Sequence, residues 1–131
     1  MTRKKIVIIE DHDDNREMIG VMLAGWYDVA AYPDGASGLQ AIRESKPDIV
    51  LLDVGLPDMG GLEVVRAIRS DPALCGLVVV AVTGYAMAAD REKHLAAGFD
   101  EHIAKPILDH EGLHETLERT FQSLRTRRRS A

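Results

Sequence analysis

The sequence predicts a doubly wound α/β fold, (βα)5, built on a five-stranded parallel sheet. Two observations carry that prediction. Three short runs are apolar at every position: Ile6-Val7-Ile8-Ile9, Ile49-Val50-Leu51-Leu52 and Leu77 to Val82. Strands of that kind are covered on both faces, as in parallel sheets. Between them lie segments whose apolar residues recur at steps of three and four, so strand and helix patterns alternate along the chain. A length of 131 residues suits one domain with a sizeable core.

Each element has its own signal. The first strand, Ile6 to Ile9, is closed by Glu10-Asp11. Met18, Ile19, Met22, Leu23 and Trp26 form a helix stripe, with Asp13 or Asp14 placed to cap its start. Tyr27 to Tyr32 is a weaker second strand, and Leu39 and Ile42 mark a shorter second helix after Asp34-Gly35. The third strand is closed by Asp53, and Gly60-Gly61 opens a helix marked by Leu62, Val65, Ile68 and Arg69. Thr83-Gly84 closes the fourth strand. Ala86 to Ala97 reads as an Ala-rich helix ended by Gly98. Glu101 to Ala104 is a weaker fifth strand, followed by Lys105-Pro106. Leu113, Leu117, Phe121 and Leu124 give the last helix, with Asp109 as its N-cap. Right-handed crossovers put helices on both sheet faces, and this size suits the strand order 2-1-3-4-5.

Composition narrows the function classes. Apolar residues make up 46% and charged residues 28%, ordinary values for a soluble domain. No apolar run approaches the ~18 residues that span a bilayer. The basic start, Met1 to Lys5, precedes a run too short for a signal-peptide core, so a cytoplasmic location is expected. Cys75 is the only cysteine, which excludes an internal disulfide. The net charge is −5, yet Arg125, Arg127, Arg128 and Arg129 sit in the last seven residues. Without them the balance is 12 basic against 21 acidic residues. An acidic body disfavours nucleic acid, and no direct DNA binding is expected. Residues 1–124 read as the domain and 125–131 as an Arg-rich, disordered tail. His110 and His114 are four apart, a metal-ligand spacing, but without a third ligand they read as surface histidines. His12 adjoins the acids and reads as a solvated loop residue. No Gly-x-x-x-x-Gly-Lys loop occurs, which argues against a P-loop nucleotidase.

The strand ends carry the chemistry. Parallel strands bring all their C-terminal ends to one edge, where Glu10, Asp11, Asp53, Thr83 and Lys105 converge. Three carboxylates in one place repel one another, and a hard divalent cation is the natural compensation. Mg²⁺ (or Mn²⁺) would take Asp11 and Asp53 directly and Glu10 directly or through water. A main-chain carbonyl past Asp53, such as that of Gly55, would complete the protein ligands. An Asp53 oxygen could then attack a phosphoryl group in line. Lys105 and Thr83 would each contact one of that group's oxygens.

The segments Ile8-Ile9-Glu10-Asp11, Leu51-Leu52-Asp53 through Gly61, Val82-Thr83-Gly84 and Lys105-Pro106 resemble the response regulator receiver family. The resemblance spans about residues 4–124. It implies a flavodoxin-like fold and phosphorylation of Asp53 by a phosphohistidine of a sensor histidine kinase or a histidine phosphotransfer protein, with Mg²⁺. It implies a signalling domain that catalyses only its own phosphorylation and slow dephosphorylation. It also implies a switch in which Thr83 moves toward the phosphoryl group and an aromatic residue on strand five rotates inward. That movement would remodel a partner-binding face of helix four, strand five and helix five. The switch position, three before the lysine, is usually Tyr or Phe and is His102 here. An imidazole there titrates and hydrogen-bonds, unlike a phenyl ring. In the family the bond before Pro106 is often cis, and positions 55 and 85, here Gly and Tyr, tune phosphoryl lifetime. The expected protein is a stand-alone or hybrid-kinase-like receiver, a monomer or a phosphorylation-dependent dimer. Two alternatives draw on the same groups. An aspartate-nucleophile phosphohydrolase would need a carboxylate where Gly55 stands, and a phosphorylation-independent interaction module would not need the intact acids.

Overall fold

A computed structural model describes residues 3–56, 59–84, 88–105 and 109–130, with the backbone alone for 88–90 and 125–130. Pro57, Tyr85 and the Lys105–Pro106 bond lie outside the described residues. The elements run β1 (Lys5–Ile9), α1 (Asp13–Leu23), β2 (Asp28–Tyr32), α2 (Gly35–Ser45), β3 (Ile49–Asp53), α3 (Gly61–Ser70), β4 (Val78–Thr83), α4 (Ala88–Ala97), β5 (Glu101–Ala104) and α5 (His110–Ser130). All strand pairings are parallel and the order is β2-β1-β3-β4-β5. This is the doubly wound arrangement that the alternating pattern predicts.

The apolar strands divide their side chains between two cores, because successive residues point to opposite faces. Ile6, Ile8, Ile49, Leu51, Val78 and Val80 pack with Ile19 and Leu23 of α1 and Leu113 and Leu117 of α5. Val7, Ile9, Val50, Leu52 and Val79 pack with Leu39 and Ile42 of α2 and Val64, Val65 and Ile68 of α3. The sheet is therefore covered on both sides, and the edge strand β2 is the one left largely open.

Helix boundaries show where local signals acted and where they were overridden. Asp34 caps α2, accepting from the Ser37 amide at 2.8 Å. α2 has 11 residues, the same as α1, and is not the shorter helix expected. Asp109 accepts from the Glu111 amide at 3.1 Å, as a cap of α5 should. The start of α1 differs from expectation. Its N-cap is His12, which is extended (φ −82°, ψ 117°) and makes no side-chain cap bond. Asp13 and Asp14 lie inside the first turn, where carboxylates favour the positive end of the helix dipole. Gly98 follows α4 at φ +122°, a conformation that favours glycine. The expected disordered tail is instead largely helix, since α5 continues to Ser130. Arginine is a good helix former, and extending a helix already anchored by Leu113 and Leu117 costs little. Among the described residues no helix is long and apolar enough to cross a membrane.

Two charged residues, Arg69 and Glu118, tie distant elements together. Arg69, at the end of α3, donates to the carbonyls of Gly98 (2.8 Å), Cys75 (3.0 Å) and Leu77 (2.6 Å) and to Asp100 (2.8 Å). It thereby fixes the approaches to β4 and β5. Glu118 of α5 accepts from Tyr27 Oη at 2.7 Å and Lys4 Nζ at 3.0 Å. Burial would raise the Glu118 carboxyl, but Tyr27 and Lys4 outweigh it and hold it below its ordinary value. A depressed folded value means stability that is present above the unfolded value, near 4.5, and is lost as pH falls through the folded one. Glu118→Gln is therefore expected to flatten the acid limb of a urea-midpoint profile below about pH 4.5. An acid limb identical to that of the parent would contradict this account.

Candidate phosphoryl and metal site

The site is assembled from residues just past the strand ends. Glu10 continues β1 by one residue, its amide bonded to the Tyr32 carbonyl at 3.1 Å. Its side chain is buried at 2% exposure. Asp53 ends β3 and is also buried. Lys105 follows β5, its amide bonded to the Thr83 carbonyl at 2.8 Å. That bond extends the ladder in which Thr83 pairs with Ala104. Thr83 is buried at the same sheet edge.

Lys105 draws the two buried acids together. Its Nζ lies 2.9 and 3.2 Å from the Glu10 oxygens and 3.2 Å from Asp53 Oδ2. The other Asp53 oxygen, Oδ1, accepts from the Gly55 amide at 3.0 Å. Gly55 thus reaches Asp53 through its N–H. A Cβ at position 55 would stand 3.7 Å from Asp53 Oδ1, so glycine leaves the space beside the carboxylate open. Close approach explains a second glycine. A Cβ on Gly61 would meet Val54 Cα at 2.7 Å and the Asp53 carbonyl at 2.8 Å, so α3 can start against the backbone of Asp53 only with glycine there.

The three charges are unequal. Burial first, and then the neighbouring Asp53, push the Glu10 carboxyl up to about 7. Burial would raise Asp53 as well. Its bond with Glu10, the Gly55 amide and Lys105 together hold it below its ordinary value. Burial would lower Lys105, but Glu10 and Asp53 outweigh that and raise it. One acid thus tends to keep a proton while its neighbour stays ionised, as expected when one ammonium serves two buried carboxylates.

Glu10, Asp11 and Asp53 each offer an oxygen within 4.8 Å of the others. This oxygen-only set fits a hard divalent cation. Burial is the larger cause of the elevated Glu10 carboxyl and the neighbouring Asp53 the second, so two buried acids stand beside one ammonium.

His102 does not stand alone. Its Nδ1 lies 3.3 Å from Nδ1 of His94 on α4, with ring centroids 4.9 Å apart. Its Nε2 is buried and has no hydrogen-bond partner among the described residues. The position is therefore tied to α4 by a polar contact that a phenyl ring could not make. His110 and His114 are explained by packing, their rings lying 5.8 and 4.2 Å from that of Trp26. Cys75 is exposed and free.

Sequence reasoning missed three residues. Asn15 and Arg16 both bond Glu10 from the first turn of α1. Their spacing, one turn past an acidic strand end, was the available signal. His94 had none, because its partner lies on another element.

Comparison with known proteins agrees with this geometry. The chain matches the family described as response regulator receiver domain over residues 6–118. It is 34% identical over 105 residues to the polar-differentiation response regulator DivK of Brucella anthropi, covering 79% of this chain and 85% of that protein. The chemotaxis response regulator CheY4 of Vibrio cholerae superposes with a TM-score of 0.85 at 26% identity, covering 91% of this chain and 99% of that one. The receiver domain of the sensor histidine kinase PA1611 of Pseudomonas aeruginosa does so at 0.83 and 29%, covering 92% and 99%, and its structure holds a magnesium ion in the active site cleft. With this fold, these strand-end residues and a family match over most of its length, the chain belongs to the response regulator receiver domain family of two-component signalling.

Proposed function

We propose that Asp53 accepts a phosphoryl group from a phosphohistidine of a sensor histidine kinase or histidine phosphotransfer protein. The observation that carries this reading is Lys105 bridging Glu10 and Asp53 at 2.9 to 3.2 Å. The bridge keeps an ionised carboxylate and a cation side by side at a strand end. An Asp53 oxygen forms the new O–P bond as the P–N bond breaks, and the imidazole nitrogen keeps the electron pair. The nucleophile must be ionised, and the depressed Asp53 carboxyl meets that need. The Gly55 amide on Oδ1 fixes the rotation of the carboxylate. Lys105 then donates to one oxygen of the transferred group, and the Thr83 hydroxyl to another. Glu10, Asp11 and Asp53 would hold Mg²⁺ or Mn²⁺, with the Gly55 carbonyl as a further ligand. Bound there, the cation supplies neutralisation of the charge on the transferring oxygens. In this reading the domain is no enzyme toward other molecules and catalyses only its own phosphorylation and dephosphorylation. The readout is a change on the α4–β5–α5 face. There Arg91, Leu95, Glu101, Arg119 and Leu124 line a groove fit for a downstream protein.

The test uses acetyl phosphate and Mg²⁺, followed by borohydride reduction, which converts an aspartyl phosphate to homoserine. Peptide mass mapping should place homoserine at position 53. No adduct, or an adduct at another residue, would overturn the reading.

A further inference from the structure

The first turn of α1 reaches back and grips the end of β1. Asn15 Nδ2 donates to Glu10 Oε1 at 3.1 Å. Arg16 Nη1 donates to the Glu10 carbonyl at 3.0 Å and is itself held by Asp13 at 2.5 Å. One helical turn therefore holds both the main chain and the carboxylate of a residue that is 2% exposed.

Among the described residues the Glu10 carboxylate has two side-chain donors of different kinds. Lys105 brings a full positive charge to both of its oxygens. Asn15 brings a neutral amide to one. A cation neutralises the acid and competes with a metal ion for it. An amide orients the acid and leaves its charge intact. When Lys105 turns to a phosphoryl oxygen, Asn15 is the side-chain donor still holding Glu10 among the contacts described.

We propose that Asn15 is a positioning residue that presents Glu10 to the divalent cation. The inference rests on the phosphoryl-acceptor reading and adds to it a residue outside the five that the strand ends supply. Asn15 acts through Glu10 and touches no reacting atom. Groups that orient a metal ligand through a hydrogen bond commonly control affinity by 10- to 100-fold.

The experiment measures Mn²⁺ binding to the full chain by the paramagnetic resonance signal of free Mn²⁺, with Mg²⁺ as competitor. Asn15→Ala is expected to weaken binding by about 10-fold. Its urea midpoint in chelator should stay close to that of the parent. The Glu10→Gln variant and the double variant complete a cycle. If Asn15 acts through Glu10, the double variant binds no more weakly than Glu10→Gln alone. A merely structural role would lower the midpoint and leave the affinity unchanged. If Asn15→Ala binds Mn²⁺ as tightly as the parent, or if the losses add in the double variant, this inference falls and the reading of Asp53 stands. If the parent chain binds no Mn²⁺, both fall.

Discussion

Asp53→Asn is expected to abolish the phosphoryl adduct and to stabilise the metal-free domain by about 1 kcal/mol, a typical gain when an acid kept for function is removed. The two effects have one cause. Asp53 and Glu10 are both buried and share one ammonium, Lys105. The amide has nearly the same shape, so the Gly55 N–H keeps an oxygen acceptor at Oδ1. Its NH₂ group can donate toward Glu10, whose carboxyl now stands near 7 partly because Asp53 is beside it. The variant loses the pairing with Lys105 that holds the Asp53 carboxyl low, but relief of the elevated Glu10 outweighs that loss, and no cavity opens. An amide nitrogen is no nucleophile toward a phosphoryl group, so the adduct disappears. The stability arm is read as the urea midpoint in chelator near neutral pH. A lower midpoint than the parent would show that the acids are well compensated, and the electrostatic account of the site would then be wrong.

Lys105→Met is expected to slow adduct formation by about 10²- to 10³-fold, the usual loss when a group aimed at developing charge is removed. Methionine keeps much of the aliphatic stem and deletes the ammonium. The same change takes away the cation that lies within 3.2 Å of both Glu10 and Asp53. Divalent-cation binding should therefore tighten, since Lys105 and the metal draw on the same carboxylates. Rate and affinity thus move in opposite directions. A variant misfolded at the site would lose both. Time courses with acetyl phosphate at saturating Mg²⁺, together with Mn²⁺ titrations, separate the two arms. Faster or unchanged phosphorylation would remove Lys105 from the mechanism.

Much of the fold and most of the site were legible in the residues. Runs such as Ile49 to Leu52 are apolar on both sides because α-helices cover both faces of the sheet. The acids Glu10, Asp11 and Asp53 could be grouped because parallel topology sends every strand to the same edge. The errors lay where a local signal met a competing contact. Asp13 and Asp14 are good capping residues, yet the chain leaves β1 extended as far as His12 and the helix begins just after it. The Arg-rich segment from 125 reads as a disordered tail, yet the backbone of α5 continues as helix to Ser130. His102 stood out as a departure, but its partner did not. His94 lies on another element, and nothing in the spacing marks the 3.3 Å contact.

The sequence by itself determined that three carboxylates, a hydroxyl and an ammonium share one end of a parallel sheet, because strand order and direction follow from alternating patterns. It also determined which faces are buried, through period. The tertiary structure decided how those groups divide their charge. Glu10 is pushed up to about 7 while Asp53 is held low, because burial is shared but the bond between the two acids, and after it the Gly55 amide, favours the ionised form of Asp53. Such differences depend on separations of a few ångströms and on desolvation. Both are set by how helices pack against the sheet, and neither can be read from residue types along a chain.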